Sequence, residues 1–145
     1  MVEIVYLDTS VFVKRFDARE PRAEQVARRL RGTRTSGSVL LLAETMSAVA
    51  RKLRDGDIEA AEAERIREAV RKDYRRVLKV ILTSAVLWEA ERLLFRHPLR
   101  ASDAVHIGSA LILSQRLGIR LSMLTADASM HEAAAGEGMP VEFFG

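Results

Sequence analysis

Val2-Glu3-Ile4-Val5-Tyr6-Leu7-Asp8-Thr9-Ser10 opens the chain with a β-branched apolar run that ends abruptly on an acid and two hydroxyls. The run predicts a buried strand over Val2–Leu7, and Asp8-Thr9-Ser10 predicts a capped helix start directly behind it, with a short helix from Ser10 to about Phe16. Downstream the same alternation recurs. Pro21 stands at the first position of a helix over Arg22–Leu30, with Ala23, Val26, Ala27 and Leu30 on one face. The breaker-rich stretch Gly32–Gly37 has room for one short strand. Leu40 to about Arg54 reads as a helix with an apolar stripe at Leu42, Met46, Val49 and Leu53, stopped by Asp55-Gly56-Asp57. An amphipathic surface helix follows from Ile58 to about Tyr74, then a strand over Val77–Thr83 and a helix over Ser84–Phe95. Pro98 breaks the chain before Ser102–Leu117, a helix apolar nearly all round and therefore central, which Gly118 closes. Arg120–Thr125 predicts a strand, Ala128–Ala135 a helix and Val141–Phe144 a last strand. About five strands alternating with helices define the α/β class: a mostly parallel sheet covered on both faces, a three-layer α/β/α sandwich.

Composition sets the outer bounds. The 145 residues, 48% of them apolar, suit one domain spanning 1–145. No apolar run approaches the roughly 20 residues of a membrane helix, and the first residues lack a secretory pattern, so the expected location is the cytoplasm with no membrane partner. With no cysteine, disulfides, thiolate metal sites and cysteine nucleophiles are excluded together. His97, His106 and His131 lack metal-binding spacing, and His106, on an apolar helix, reads as a packing residue. The net charge is only +3, but the basic side is overwhelmingly arginine, lysine occurring only at 14, 52, 72 and 79. Arginine suits phosphate contact; a coding bias gives the same composition. Arg15, Arg19, Arg22, Arg28, Arg29 and Arg31 gather near the first two helices, as a track for nucleic acid or as a solvated face.

Four acids interrupt apolar surroundings: Asp8, Glu44 in Leu40-Leu-Leu-Ala-Glu-Thr-Met, Asp103 in Arg100-Ala-Ser-Asp-Ala-Val-His, and Asp127 in Leu124-Thr-Ala-Asp-Ala. In open parallel sheets ligands bind beyond the carboxyl ends of the strands. Asp8 and Asp127 fall at two such ends. Partly buried carboxylates repel one another and lose hydration unless a cation joins them. With oxygen donors only, that cation is Mg²⁺ or Mn²⁺, which makes bound water more acidic and neutralises charge building on a phosphate under attack. Each aspartate also lies where a helix starts and serves there as a cap. Glu44 lies off the apolar stripe, where an exposed glutamate is ordinary.

The local frames of these acids resemble the PIN-domain ribonucleases, and among them the VapC-type toxins of toxin–antitoxin pairs. The matching stretches are Leu7-Asp-Thr-Ser-Val-Phe-Val, Leu42-Ala-Glu, Leu99-Arg-Ala-Ser-Asp-Ala-Val-His-Ile-Gly-Ser-Ala and Leu124-Thr-Ala-Asp, in the same order and over essentially the whole chain. Gly108 departs from the alanine often found there, which bears on packing and not on chemistry. The resemblance implies a PIN-like sandwich and an Mg²⁺- or Mn²⁺-dependent endoribonuclease, the toxin of a VapBC-type system. Asp8, Asp103 and Asp127 carry over as metal ligands, direct or through water, and Glu44 as the acid that holds a metal-bound water or a second ion. Thr9, Ser10 and Thr125 match hydroxyl positions that either orient a carboxylate or water or cap a helix. Arg100 either holds the scissile phosphate or pairs with Asp103. The implied partners are an RNA substrate, a cognate antitoxin that lays an apolar helix into a groove near the early helices, and a second copy in a homodimer. The alternative is a PIN-like scaffold that binds RNA or protein without catalysis. An aspartyl-phosphate enzyme with Asp8 as nucleophile is disfavoured, because Ser10 stands where such chemistry wants a second acid.

Overall fold

Val5 and Leu7 enter one hydrophobic core and Tyr6, between them, enters another, so the first strand is covered on both sides. The computed structural model describes Met1–Gly145 throughout. Strand β1 (Ile4–Leu7) runs into the one-turn helix α1 (Thr9–Phe12) and a 3₁₀ turn over Val13–Arg15. Then come α2 (Ala23–Leu30), β2 (Arg34–Ser38), α3 (Leu41–Arg54), α4 (Ala60–Arg76), β3 (Leu78–Val80), α5 (Ser84–Arg96), α6 (Ala101–Leu117), β4 (Ser122–Thr125), α7 (Ala128–Gly136) and β5 (Val141–Phe143). The five strands form one sheet in the order β3-β2-β1-β4-β5, every neighbouring pair parallel. One face carries α1 to α4 through Val11, Phe12, Val26, Leu41, Val49, Ile66 and Val70; the other carries α5 to α7 through Val86, Leu93, Ala104, Ile107, Met130 and Ala134. The predicted α/β/α sandwich is the observed architecture.

Parallel strands need long crossovers, and the helices supply them while hiding both faces from water. β1 is central, and its register sets Leu7 beside Leu124 of β4. Asp8 and Thr125 therefore leave the sheet side by side at its carboxyl edge, where the Asp8 backbone N–H still donates to the Leu124 carbonyl at 3.3 Å.

Two local expectations shift, and between them a strand forms where the breaker-rich stretch left room for one. Pro21 does not start α2; Arg22 precedes the helix in a left-handed conformation with φ 60°. β2 lies next to the central strand although its sequence, Arg-Thr-Ser-Gly-Ser, has no apolar side chain. Its buried hydroxyls replace lost water contacts: Ser36 Oγ donates to the Val5 carbonyl at 2.9 Å, and Ser38 Oγ accepts the Leu40 N–H at 3.1 Å. A side chain at Gly37 would run into Leu41. On α3 the buried residues are Leu41, Thr45 and Val49. Leu42 and Met46 of the predicted stripe are half-buried and Leu53 is exposed, so the stripe faces the seam with α4 and only partly the sheet.

Candidate active site

A polar cavity of about 420 Å³ opens at the carboxyl edge of the sheet, and Asp8, Glu44, Asp103 and Asp127 all line it, with Thr9, Ser10, Arg100 and His106. Residues up to 119 positions apart in sequence meet there because three helix starts and one helix flank converge on the ends of β1 and β4.

Asp8 caps α1, its Oδ1 accepting the Val11 N–H at 3.1 Å. Ser10 Oγ donates to the same oxygen at 2.7 Å, and Thr125 Oγ1 donates to Oδ2 at 2.6 Å. Ser10 Oγ in turn accepts the Ala126 N–H at 2.8 Å, and Thr125 Oγ1 accepts the Asp127 N–H at 3.1 Å. Capping of α1 thus falls to Asp8, and the two hydroxyls tie the Asp8 carboxylate to the backbone after β4. Asp8 is 1% exposed. Burial pushes its carboxyl above the usual range, against the pull of the Thr125 and Ser10 hydrogen bonds and the charge of His106.

Asp127 caps α7 through Oδ1 to the Met130 N–H at 3.0 Å. Asp103, at the third position of α6, accepts the Arg100 backbone N–H on Oδ2 at 3.3 Å, as an acid at this position does in a capping box. The Arg100 Nε lies 3.4 Å from the same oxygen, with the guanidinium side chain largely in solvent. Such an exposed pair is worth little and leaves Arg100 free to swing. Asp127 as a cap and Asp103 as the capping-box acid are pocket residues at the same time: one oxygen of each is used by the backbone and the other is left over. Glu44, on the α3 flank, accepts on Oε1 from Thr9 Oγ1 at 2.8 Å and meets His106 Nε2 at 2.5 Å. Burial is the largest influence on Glu44 and raises its pKa, but the hydrogen bond and charge of His106, with the Thr9 hydroxyl, outweigh it and the net direction is down.

Two residues of this pocket escape the sequence. His106 packs as expected, but its ring also bonds a pocket acid. Arg51, on α3, lines the same cavity and makes no ion pair. It stands seven residues, about two helical turns, from Glu44, and that spacing is the only sequence signal it carries. Of the early arginines, three are drawn into close ion pairs, while Arg22, Arg28 and Arg31 stay exposed. Arg15 pairs with Asp73 at 2.7 Å, Arg19 with Asp17 and Glu62, and Arg29 with Glu3 and Glu142.

The donor set fits a hard divalent cation: carboxylate and hydroxyl oxygens, one carboxylate buried at a desolvation cost that a cation would relieve. No three of the acidic and imidazole side chains stand close enough together to enclose an ion by themselves. The ion that suits such a pocket keeps several of its own waters and takes only one or two carboxylates, as Mg²⁺ does.

The PIN domain profile matches residues 5–136. The chain belongs to the PIN domain family. No curated protein matches its sequence. Among solved structures, the PIN fold of this chain is similar to that of VapBC2 from Rickettsia felis bound to a DNA fragment from their promoter, at 11% identity and TM-score 0.68 over 98% of this chain and 99% of that one. It is similar to FitAcB from Neisseria gonorrhoeae at 19% identity and TM-score 0.66, covering 94% and 95% of the two chains. VapC20 from Mycobacterium tuberculosis, described as a sarcin–ricin-loop-cleaving toxin, aligns at 19% identity and TM-score 0.64 over 89% of this chain and 94% of that one. At these identities the likeness is one of fold.

Proposed function

We propose that this PIN-domain protein is a divalent-metal-dependent endoribonuclease and the toxin of a VapBC-type pair. The observation that carries the reading is the convergence of Asp8, Glu44, Asp103 and Asp127 on one cavity, with Asp8 held by three donors in an almost water-free setting.

Asp8, Asp103 and Asp127 hold Mg²⁺ or Mn²⁺, directly or through water, and Glu44 orients a water from the α3 side. Once bound, the ion supplies a more acidic water and offsets the charge that builds on the phosphate. Ser10 and Thr125 keep the Asp8 carboxylate in one orientation, so no reorganisation is needed when substrate arrives. Arg100 and Arg51, both exposed and both on the cavity wall, hold the phosphates that flank the scissile bond. Arginine suits this work because its planar guanidinium makes paired hydrogen bonds to phosphate oxygens.

A toxin needs a silencing partner. Leu42, Met46, Val49, Ala50, Leu53 and Ala63 form an apolar groove between α3 and α4, rimmed by Arg67 and Arg71. The partner that suits it is an amphipathic antitoxin helix with acidic residues along its edge. A second copy of the chain covers the exposed apolar flank of α5, Leu87, Trp88, Leu94 and Phe95, a patch too apolar to face water. No helix is long and apolar enough to cross a membrane, consistent with action in the cytoplasm. The inactive-scaffold alternative leaves the co-location of the four acids without a purpose.

Incubating total RNA with Mn²⁺ and the wild-type or Asp8→Ala protein tests the reading, alongside growth after induction. The wild type cleaves RNA and arrests growth and the variant does neither. Equal cleavage by a clean Asp8→Ala preparation would overturn it.

A further inference from the structure

His106 is 2% exposed and sits in the apolar middle of α6, yet both of its polar neighbours are pocket residues. Its Nε2 lies 2.5 Å from Glu44 Oε1 and 3.4 Å from Thr9 Oγ1. The other ring nitrogen, Nδ1, is buried without any hydrogen-bond partner. A histidine retained for packing alone has no reason to leave a buried nitrogen unpaired, since a leucine would fill the space without that penalty. What the ring supplies and leucine does not is one N–H aimed at one carboxylate oxygen.

We infer that His106 is a positioning residue for Glu44. With Nε2 protonated, it donates to Oε1 alongside the Thr9 hydroxyl, so one oxygen is held by two donors. Both donors come from elements other than α3: Thr9 from α1 and His106 from α6. The glutamate, which would otherwise sample several rotamers on an open helix flank, is thereby fixed to the part of the pocket where Asp8 and Asp103 stand, and Oε2 remains for the water or ion. This inference rests on the nuclease reading for its consequence, but the pairing itself does not.

The test combines single-turnover RNA cleavage in Mn²⁺ with nitrogen-resolved NMR of the histidine rings. His106→Leu lowers the cleavage rate about 10- to 100-fold, the range for partners that orient ligands from outside the coordination shell, with the circular dichroism of the folded protein unchanged. His106→Gln, which restores an N–H donor at similar reach, recovers most of that loss. In a Glu44→Ala background, His106→Leu adds less than about twofold, because a residue acting through Glu44 has nothing left to act on. In the spectra the His106 Hε2 proton is slow to exchange and shifted downfield, and Glu44→Ala abolishes both features. A His106→Leu loss of undiminished size in the Glu44→Ala background, or a ring signal indifferent to Glu44→Ala, would overturn the inference. Cleavage that does not depend on Asp103 would instead contradict the nuclease site, while the ring signal still decides the pairing.

Discussion

At the residue scale the pocket is a set of side chains that each do two things. Asp8 and Asp127 cap helices and Asp103 bonds a helix-start N–H, and all three still face the cavity. Their positions are legible in the sequence because an acid that interrupts an apolar run must have a reason to be there. His106 and Arg51 are not legible, because an apolar helix hides the one and a charged helix end disguises the other; only the meeting of α1, α3 and α6 at the pocket gives them their neighbours. Asp8 and Glu44 also make opposite contributions to stability. With its folded pKa raised, Asp8 favours the metal-free fold below its unfolded value and loses that contribution as pH rises through the folded one. With its folded pKa lowered, Glu44 contributes above its unfolded value and loses that contribution as pH falls. Asp8→Asn removes a buried charge, so in chelator its melting temperature minus that of the wild type rises as pH climbs above the ordinary carboxylate range. A variant-minus-wild-type difference that falls as pH rises would contradict the burial argument.

At the element scale the strands near the site differ sharply in how readable they are. β1 and β4 announce themselves through short apolar runs that end at acids. β2 does not, because its buried atoms are hydroxyls and a glycine and its identity as a strand comes from β1 and β3 on either side. On α3, periodicity finds the helix but not its buried side: the stripe at Leu42, Met46 and Leu53 fits the 3.6-residue repeat and faces the α4 groove instead. The contact of α5 with α6 is close for a similar local reason. A Cβ on Gly108 would sit 3.3 Å from both the Ala90 nitrogen and the Val86 carbonyl. In Gly108→Ala, crowding opposes a helix-propensity gain of about 1 kcal/mol, so the variant stays within about 1 kcal/mol of wild type. Gly108→Val has no such offset, and overpacking costs about 1–3 kcal/mol. Denaturant melts of the two variants measure this directly. A Gly108→Val protein as stable as wild type would show that the helices have slack.

At the scale of the whole molecule, strand–helix alternation is enough to predict a sandwich, because a parallel sheet has few other ways to connect its strands and hide both faces. It cannot predict which outer faces stay bare. Phe95 is 91% and Trp88 71% exposed on one side of α5, with Ile81 and Leu82 close by in sequence, and an ordinary surface does not carry such a stripe. A single helix face meeting its own copy across a two-fold axis is the simplest closed arrangement for it. Light scattering is expected to give twice the chain mass for the wild type and the chain mass for Trp88→Glu, with unchanged circular dichroism. A monomeric wild type would refute the second-copy reading.

The central claim is that the acid-lined cavity binds a divalent ion, and calorimetric titration of Mn²⁺ into wild type and Asp103→Asn tests it without knowledge of the RNA. Asp103 is the right residue to change, because its few hydrogen bonds are long and its neighbour Arg100 is solvated, so asparagine keeps the helix start intact. Saturable binding in the wild type, lost or weakened at least about tenfold in the variant, is the expected result; identical isotherms for the two proteins would contradict it.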